Sequence, residues 1–334
     1  MLALRTARML EVRNSGFALH PKALAKYTSL LLAVCFHSTF RVSHSALAAQ
    51  GGSGGYVISK TLNLVELPVT VRDRKGRFVS GLEQPNFRIY ENGQMQGITL
   101  FRSEDIPVAA GLVVDHSGSM GSKRDEVMEG AKAFVQASNP QNREFVVNFS
   151  DTVTFGLPAS VPFTSNLEDL QAALLATPAS GKTALYDAVA AALERLQTDH
   201  SDRKVLVLIS DGGDNASEHD FKQVLLKAQG ASVVIYAIGL FEEYSADQNP
   251  KTLKKFSEET GGKAYFPNSA AEVVSVSQQI AADIRHQYTL GYSPPDSERG
   301  GYRKVQVSAT APGRGKLFVH TRTGYFLPYG ITGR

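Results

Sequence analysis

The sequence predicts an α/β fold: a doubly wound, mostly parallel sheet inserted into a small β-sandwich that the two flanks build together. Three observations lead there. Between Val108 and His286, strand-length apolar segments alternate with helical patterns, and the strands are apolar throughout, as expected where both faces of a sheet are covered. On either side of that block the pattern turns to β, punctuated by Gly- and Pro-rich turns. Neither flank is long enough to bury a core alone, whereas 56–104 and 287–327 together make about 90 residues, a common sandwich size.

The elements follow in order. Lys22 and Lys26 precede the apolar run Tyr27–Phe36, and Ala46-Leu47-Ala48 follows. This charged, apolar and small-residue succession predicts a signal peptide over 1–48, with Met1 or Met9 as start. The apolar run is too short for a membrane anchor, so the expected product is exported, periplasmic or secreted, with no stable anchor after cleavage. Residues 49–55, rich in glycine, read as a flexible linker. In 56–104, Val65, Leu67, Val69 and Val71 alternate as in a half-buried strand. Arg74-Lys75-Gly76 reads as a turn. Asn92-Gly93, set between Phe87–Tyr90 and Ile98–Phe101, predicts a hairpin with a type I′ turn.

The predicted α/β domain spans 107–286. Its strands are 108–114, 145–149, 205–209, 233–238 and 264–266; its helices are 123–136, 167–175, 186–196, 221–228, 253–259 and 270–286. In the last helix Val273, Val276, Ile280 and Ile284 fall in register. The chain then returns to strands at 287–292, 303–309 and 317–323, the second half of the sandwich.

Composition narrows the function. With 43% hydrophobic and 20% charged residues the chain is an ordinary globular one, neither disordered nor collagen-like. The net charge of +3 comes from the leader, where six Lys and Arg face one Glu; residues 49–334 carry 29 basic and 31 acidic side chains. So mild an acidity argues against a nucleic-acid binder, which must neutralise phosphates. Cys35, the single cysteine, lies in the leader, which leaves the body without disulfides, Cys-ligated zinc or thiol chemistry.

In an open parallel sheet, ligands sit beyond the carboxyl ends of the strands. Three segments place oxygen-bearing residues there: Asp115-His116-Ser117-Gly118-Ser119, Ser180-Gly181-Lys182-Thr183, and Ser210-Asp211-Gly212. Asp115, Ser117, Ser119, Thr183 and Asp211 are predicted to converge. Two carboxylates and three hydroxyls suit a hard divalent ion, Mg²⁺ first, then Mn²⁺ or Ca²⁺. Taken singly, Asp115 and Asp211 read as caps and the serines as turn residues. Asp187 and Asp214 read as structural. His116 faces away from 115, 117 and 119 and is expected at the surface. His219 and Asp220 mark a helix start. Tyr288, Tyr292, Tyr302 and Tyr325 read as sandwich core or rim.

The D-x-S-x-S run at 115–119, Thr183 ahead of Leu185-Tyr186-Asp187, and Asp211 before glycine resemble the metal-ion-dependent adhesion site (MIDAS) of von Willebrand factor type A (VWFA) domains, a Rossmann-like fold. The flanks are similar to the bacterial VWFA-related, acidobacterial-type family, in Val69-Thr70-Val71-Arg72-Asp73, Tyr90-Glu91-Asn92-Gly93 and Tyr288-Thr289-Leu290-Gly291-Tyr292. The resemblance implies that Ser117, Ser119 and Thr183 bind the metal directly. It implies that Asp115 and Asp211 do so directly or through water, and that a protein or peptide partner's Asp or Glu carboxylate completes the octahedron. It also makes the final helix, 270–286, a candidate for coupling the site to the flanks.

One motif competes. Residues 176–183, ending Gly181-Lys182-Thr183, satisfy a relaxed phosphate-loop pattern with alanine for the first glycine, and Val205–Asp211 resembles the partner strand. A phosphate loop must join a strand to a helix, and here a helical pattern precedes it. Ser117-Gly118-Ser119 lacks the G-x-S-x-G frame of a hydrolase, and no His–carboxylate pair is placed by spacing. The reading is therefore a non-enzymatic, exported, metal-dependent adhesion-type binding protein. A structural or assembly factor of the envelope, its metal serving the fold alone, is the alternative; an NTPase or hydrolase is remote.

Overall fold

The computed structural model describes residues 64–178, 180–241, 247–294 and 301–327. The predicted signal peptide, 1–48, and linker, 49–55, lie outside the described residues.

Burial sorts the strands into two kinds. β5 (Ala109–Asp115) and β9 (Val233–Gly239) are buried at every position, and β6 (Arg143–Phe149) and β8 (Lys204–Ser210) at every position but the first. These belong to a six-stranded sheet of order β10-β9-β8-β5-β6-β7, with β10 at Ala264–Tyr265 and β7 at Val153–Phe155. All neighbours run parallel except β7, which pairs antiparallel with β6. The sequence reading did not foresee β7, a three-residue edge strand with only Val153 partly sheltered.

Helices cover this sheet in two groups. α1 (Arg124–Ala137) packs against α2 (Leu167–Leu175) and α6 (Ala270–Arg285); α3 (Leu185–Gln197), α4 (Phe221–Gly230) and α5 (Pro250–Thr260) pack in series. Two coverings explain why the strands carry no polar alternation. The α1–α6 contact is close: a Cβ at Gly130 would stand 2.7 Å from Val273 Cγ1. Among the described residues, no helix is long and apolar enough to cross a membrane.

The remaining strands form two antiparallel four-stranded sheets, β13-β1-β11-β4 and β14-β12-β2-β3. Each draws on both flanks. β1 (Val65–Arg72) pairs with β11 (Tyr288–Tyr292), placing Leu67 opposite Leu290; β2 (Phe87–Glu91) pairs with β12 (Gly301–Ala309), placing Ile89 opposite Val307. Val65, Leu67, Val69 and Val71 are buried with Phe87, Ile89, Leu290 and Tyr292 in one core, separate from that of the six-stranded sheet. Tyr288, Tyr292 and Tyr325 belong to this core and Tyr302 lies at its exposed edge.

Two flank expectations need correction. Asn92 (φ 49°) and Gly93 (φ 85°) do form the positive-φ turn, but its second arm is β3 (Gln94–Gln96), not Ile98–Phe101. Leu100–Arg102 is β4, an edge strand of the other sheet, paired with β11. The crossing occurs by Thr99, whose N–H reaches Gly291 O at 2.7 Å, and it carries Phe101 onto Phe87 and Tyr288. Likewise 317–323 is not one strand. β13 (Phe318–His320) pairs with β1, and after a switch at 321–323 β14 (Gly324–Leu327) pairs with β12.

The sandwich meets the α/β core at the amino ends of the parallel strands. Arg203, just before β8, donates to Ile284 O and to Gln287 Oε1 (2.9 Å). Arg72 pairs with Asp283, which also accepts Tyr265 Oη at 3.0 Å. Arg285 pairs with Asp105 at 2.8 Å. The opposite, carboxyl ends are left for the site.

Candidate metal centre

β5 and β8 are adjacent, so their last residues emerge side by side. Asp115 closes β5; Asp211 follows Ser210, the last residue of β8. After Asp115 the chain makes a 3-10 turn over Gly118–Lys123 before α1, which folds Ser117 and Ser119 back over the strand end. Ser117 Oγ lies 3.2 Å from Ser119 Oγ, and Ser119 Oγ donates to Asp211 Oδ2 at 2.7 Å. Ser117 N–H donates to Asp115 Oδ1 at 2.8 Å.

Thr183 arrives on the third loop, which is tied to the other two. Ser180 N–H donates to His116 O (2.8 Å) and Gly118 N–H to Gly181 O (3.2 Å). Thr183 N–H donates to Asn215 Oδ1 (2.9 Å), while Asn215 and Ala216 return N–H groups to Thr183 O at 2.9 and 3.1 Å. The structure thus gathers the three loops that carry the five predicted oxygens. Gly181 makes the turn at φ +87°, and Asp151 Oδ1 stands 2.6 Å from where its Cβ would be, so a side chain there meets both strain and a clash.

The carboxylates are buried almost completely: Asp115 is 1% exposed and Asp211 2%. Burial pushes the Asp115 carboxyl up to about 6; hydrogen bonds from Ser117 and Ser210 oppose the shift, and the nearby Asp211 charge adds to it. Among the described residues, neither carboxylate pairs with Lys, Arg or His. Nor do three or more His, Cys, Asp or Glu gather anywhere among them. Two acids set among hydroxyls are the whole donor set. Buried charge without a counter-charge is costly, and an all-oxygen cradle of this kind fits a hard divalent cation.

Sequence reasoning missed two supporting residues. Ser210 Oγ donates to Asp115 Oδ2 at 2.6 Å and accepts Gly212 N–H at 2.9 Å, which orients the first carboxylate from the second strand. A hydroxyl closing an apolar buried strand was the available signal. Asn215, which clasps Thr183, gave none beyond its place in a turn. His116 is corrected: it is buried, not at the surface, with Nε2 3.0 Å from Asn148 Oδ1, because the residue after β5 still lies against the end of β6.

Asp187 and Asp214 serve the backbone. Asp214 Oδ1 accepts Tyr186 N–H (3.2 Å) and Ser217 Oγ (2.6 Å); Asp187 accepts the N–H groups of Glu218 and His219 and pairs with the His219 ring at 2.7 Å. Asp220 caps α4. These contacts bear on the phosphate-loop motif. A helix, α2, precedes the loop, and the first-turn N–H groups of α3 are taken by Asp214 and by Ser217 Oγ, which accepts Asp187 N–H at 3.1 Å. A phosphate would find its usual donors engaged.

The family model of the von Willebrand factor type A domain matches residues 111–279. No curated protein matches the chain. Among solved structures it is similar to a von Willebrand factor type A protein from Catenulispora acidiphila, at 14% identity and TM-score 0.49 over 80% of this chain and 75% of that one. It is similar to proximal thread matrix protein 1 from the mussel byssus, solved with a zinc-occupied MIDAS motif: 18% identity, TM-score 0.46, 58% of this chain and 49% of that one. A third is the vWF domain of the type V pili tip protein Mfa5 from Porphyromonas gingivalis, at 14% identity and TM-score 0.44 over 54% and 96% of the two chains.

Proposed function

The chain belongs to the von Willebrand factor type A domain family, and from that membership, the donor geometry and the leader pattern of residues 1–48 we propose that it is an exported, non-enzymatic binding protein that captures a partner's acidic group at a MIDAS. Domains of this family typically mediate protein binding and often hold a divalent metal at such a motif. Asp115, Ser117, Ser119, Thr183 and Asp211 would hold the cation, Mg²⁺ first and Mn²⁺ or Ca²⁺ next. When bound, it supplies an electrophilic position that accepts a carboxylate oxygen from a protein or peptide ligand.

The chain's own residues prepare that site. Ser210 holds the Asp115 carboxylate, Ser119 that of Asp211, and Asn215 fixes the Thr183 backbone, so little side-chain freedom remains to be lost on binding. The observation that carries the reading is the pair of acids buried to 1% and 2% exposure, bonded by hydroxyls and, among the described residues, paired with no Lys, Arg or His.

Calorimetric titration with Mg²⁺ and Mn²⁺ tests the proposal. One saturable site is expected in the wild type and none in Asp115→Ala. A folded wild type that takes up neither ion overturns it.

A further inference from the structure

The phosphate-loop motif leaves Lys182 without a task. On the loops that carry the five oxygens the lysines are Lys123 and Lys182. Lys123 pairs with Glu126 at 3.5 Å. Lys182 is exposed, and among the described residues it makes neither ion pair nor side-chain hydrogen bond. The acids around it are engaged: Asp211 by Ser119, Asp214 by Ser217 and the start of α3, and Asp151 by the Ser150 hydroxyl at 3.0 Å.

An exposed lysine is ordinarily a solvated surface group. This one differs in its stem. Ser180 and Gly181 are bonded to His116 and Gly118 on one side; Thr183 and Ala184 are bonded to Asn215 and to Ser150 O (2.7 Å) on the other. A side chain at Gly181 would be strained and would meet Asp151, so Lys182, directly beside Thr183, is the charged side chain that this loop presents. An exposed lysine on a hydrogen-bonded loop thus stands next to Thr183, in reach of a ligand whose first carboxylate the metal centre is read as accepting.

We propose that Lys182 is a specificity-determining second anchor, and that the ligand class is an acidic peptide segment carrying two neighbouring Asp or Glu side chains: one for the metal centre, one for the Lys182 ammonium. This rests on the metal-dependent binding proposed above and adds the identity of the ligand. The second contact is exposed, so its increment is modest and salt-sensitive, about fivefold in affinity at low ionic strength.

The probe is a random heptapeptide library passed over the immobilised chain in Mg²⁺ and eluted with EDTA. The wild-type eluate should be enriched in paired acidic residues. Replacing the second acid of a selected peptide by its amide should weaken wild-type binding about fivefold and leave Lys182→Ala binding unchanged. Lys254→Ala, at a surface lysine on α5, should behave as wild type. EDTA-released peptides with a single acidic residue, bound alike by wild type and Lys182→Ala, overturn this inference and leave the metal-dependent reading standing. No EDTA-released enrichment from a wild type that binds no Mg²⁺ removes both; none from a wild type that does bind Mg²⁺ removes the carboxylate capture and this inference with it.

Discussion

The two ends of the same parallel sheet put buried charge to different uses. At the amino ends two charges tie the sandwich to the core: Arg203 is 7% exposed and donates to the neutral acceptors Ile284 O and Gln287 Oε1, and Asp283, 5% exposed, pairs with Arg72 and accepts from Tyr265. At the carboxyl ends Asp115 and Asp211 are buried deeper still and meet only hydroxyls and backbone N–H groups. The sandwich closes the first end. Burial with a partner binds two parts of one molecule together; burial without a counter-charge leaves an attraction to be satisfied from outside. The difference separates a structural junction from the proposed metal centre where the depth of burial is similar.

The largest expected effect comes from neutralising the unpartnered end. Asp115→Asn should abolish saturable Mg²⁺ uptake, a loss of about 100-fold or more in calorimetry. It should also raise the melting temperature of the metal-free protein at pH 8. The sign follows from burial: the folded pKa lies above the unfolded value, so the carboxyl's contribution is full below pH 3.8 and is lost as pH rises through about 6. The amide carries no such charge. A metal-free variant less stable than wild type at pH 8 would break the comparison.

At the paired end the expected change is one of stability. Arg203→Ala strands Ile284 O and the Gln287 amide oxygen at the foot of α6. A loss of about 3 kcal/mol in urea unfolding is expected, with metal affinity unchanged.

Glu144 is the exception at the amino ends, a buried carboxyl that pairs with no cation among the described residues. It is 2% exposed, accepts Asn142 Nδ2 at 3.3 Å, and burial pushes it up from 4.5 to about 7. Stability should be greatest below pH 4.5 and fall as pH rises through 7. Glu144→Gln should flatten that part of the profile and stabilise the protein by about 2 kcal/mol at pH 8. Denaturant midpoints measured from pH 4 to 8 check it.

Much of this was legible in the chain. The unbroken apolar strands announced a covered parallel sheet, and their register places Leu112 between Val146 and Val207. Asn92-Gly93 announced its turn, because two consecutive positive φ angles are a local demand. The spacing at 115–119 put three oxygens on one side of a strand end. What the chain did not announce was the sheet each flank strand would join. Three residues of β3, β4 or β13 carry too little pattern to choose a partner, and Phe101 is placed by rings from two other strands. Nor was the role of Ser210 visible, since one hydroxyl ending a strand reads as a boundary until the neighbouring strand brings Asp115 to it.

By itself, then, the sequence determined the alternation of the main elements, the type of sheet and the residue types available to a metal, which follow from local periodicity and turn chemistry, while the family was carried by the resemblance of its motifs. Only the tertiary structure decided that Asp115 and Asp211 lose water together while, among the described residues, no Lys, Arg or His pairs with them, that Arg203 loses it in the company of α6, and that Lys182 stands on a pinned loop with its ammonium unengaged. The electrostatic cost of a charge depends on what surrounds it in space, and for these residues the surroundings come from segments tens of positions away.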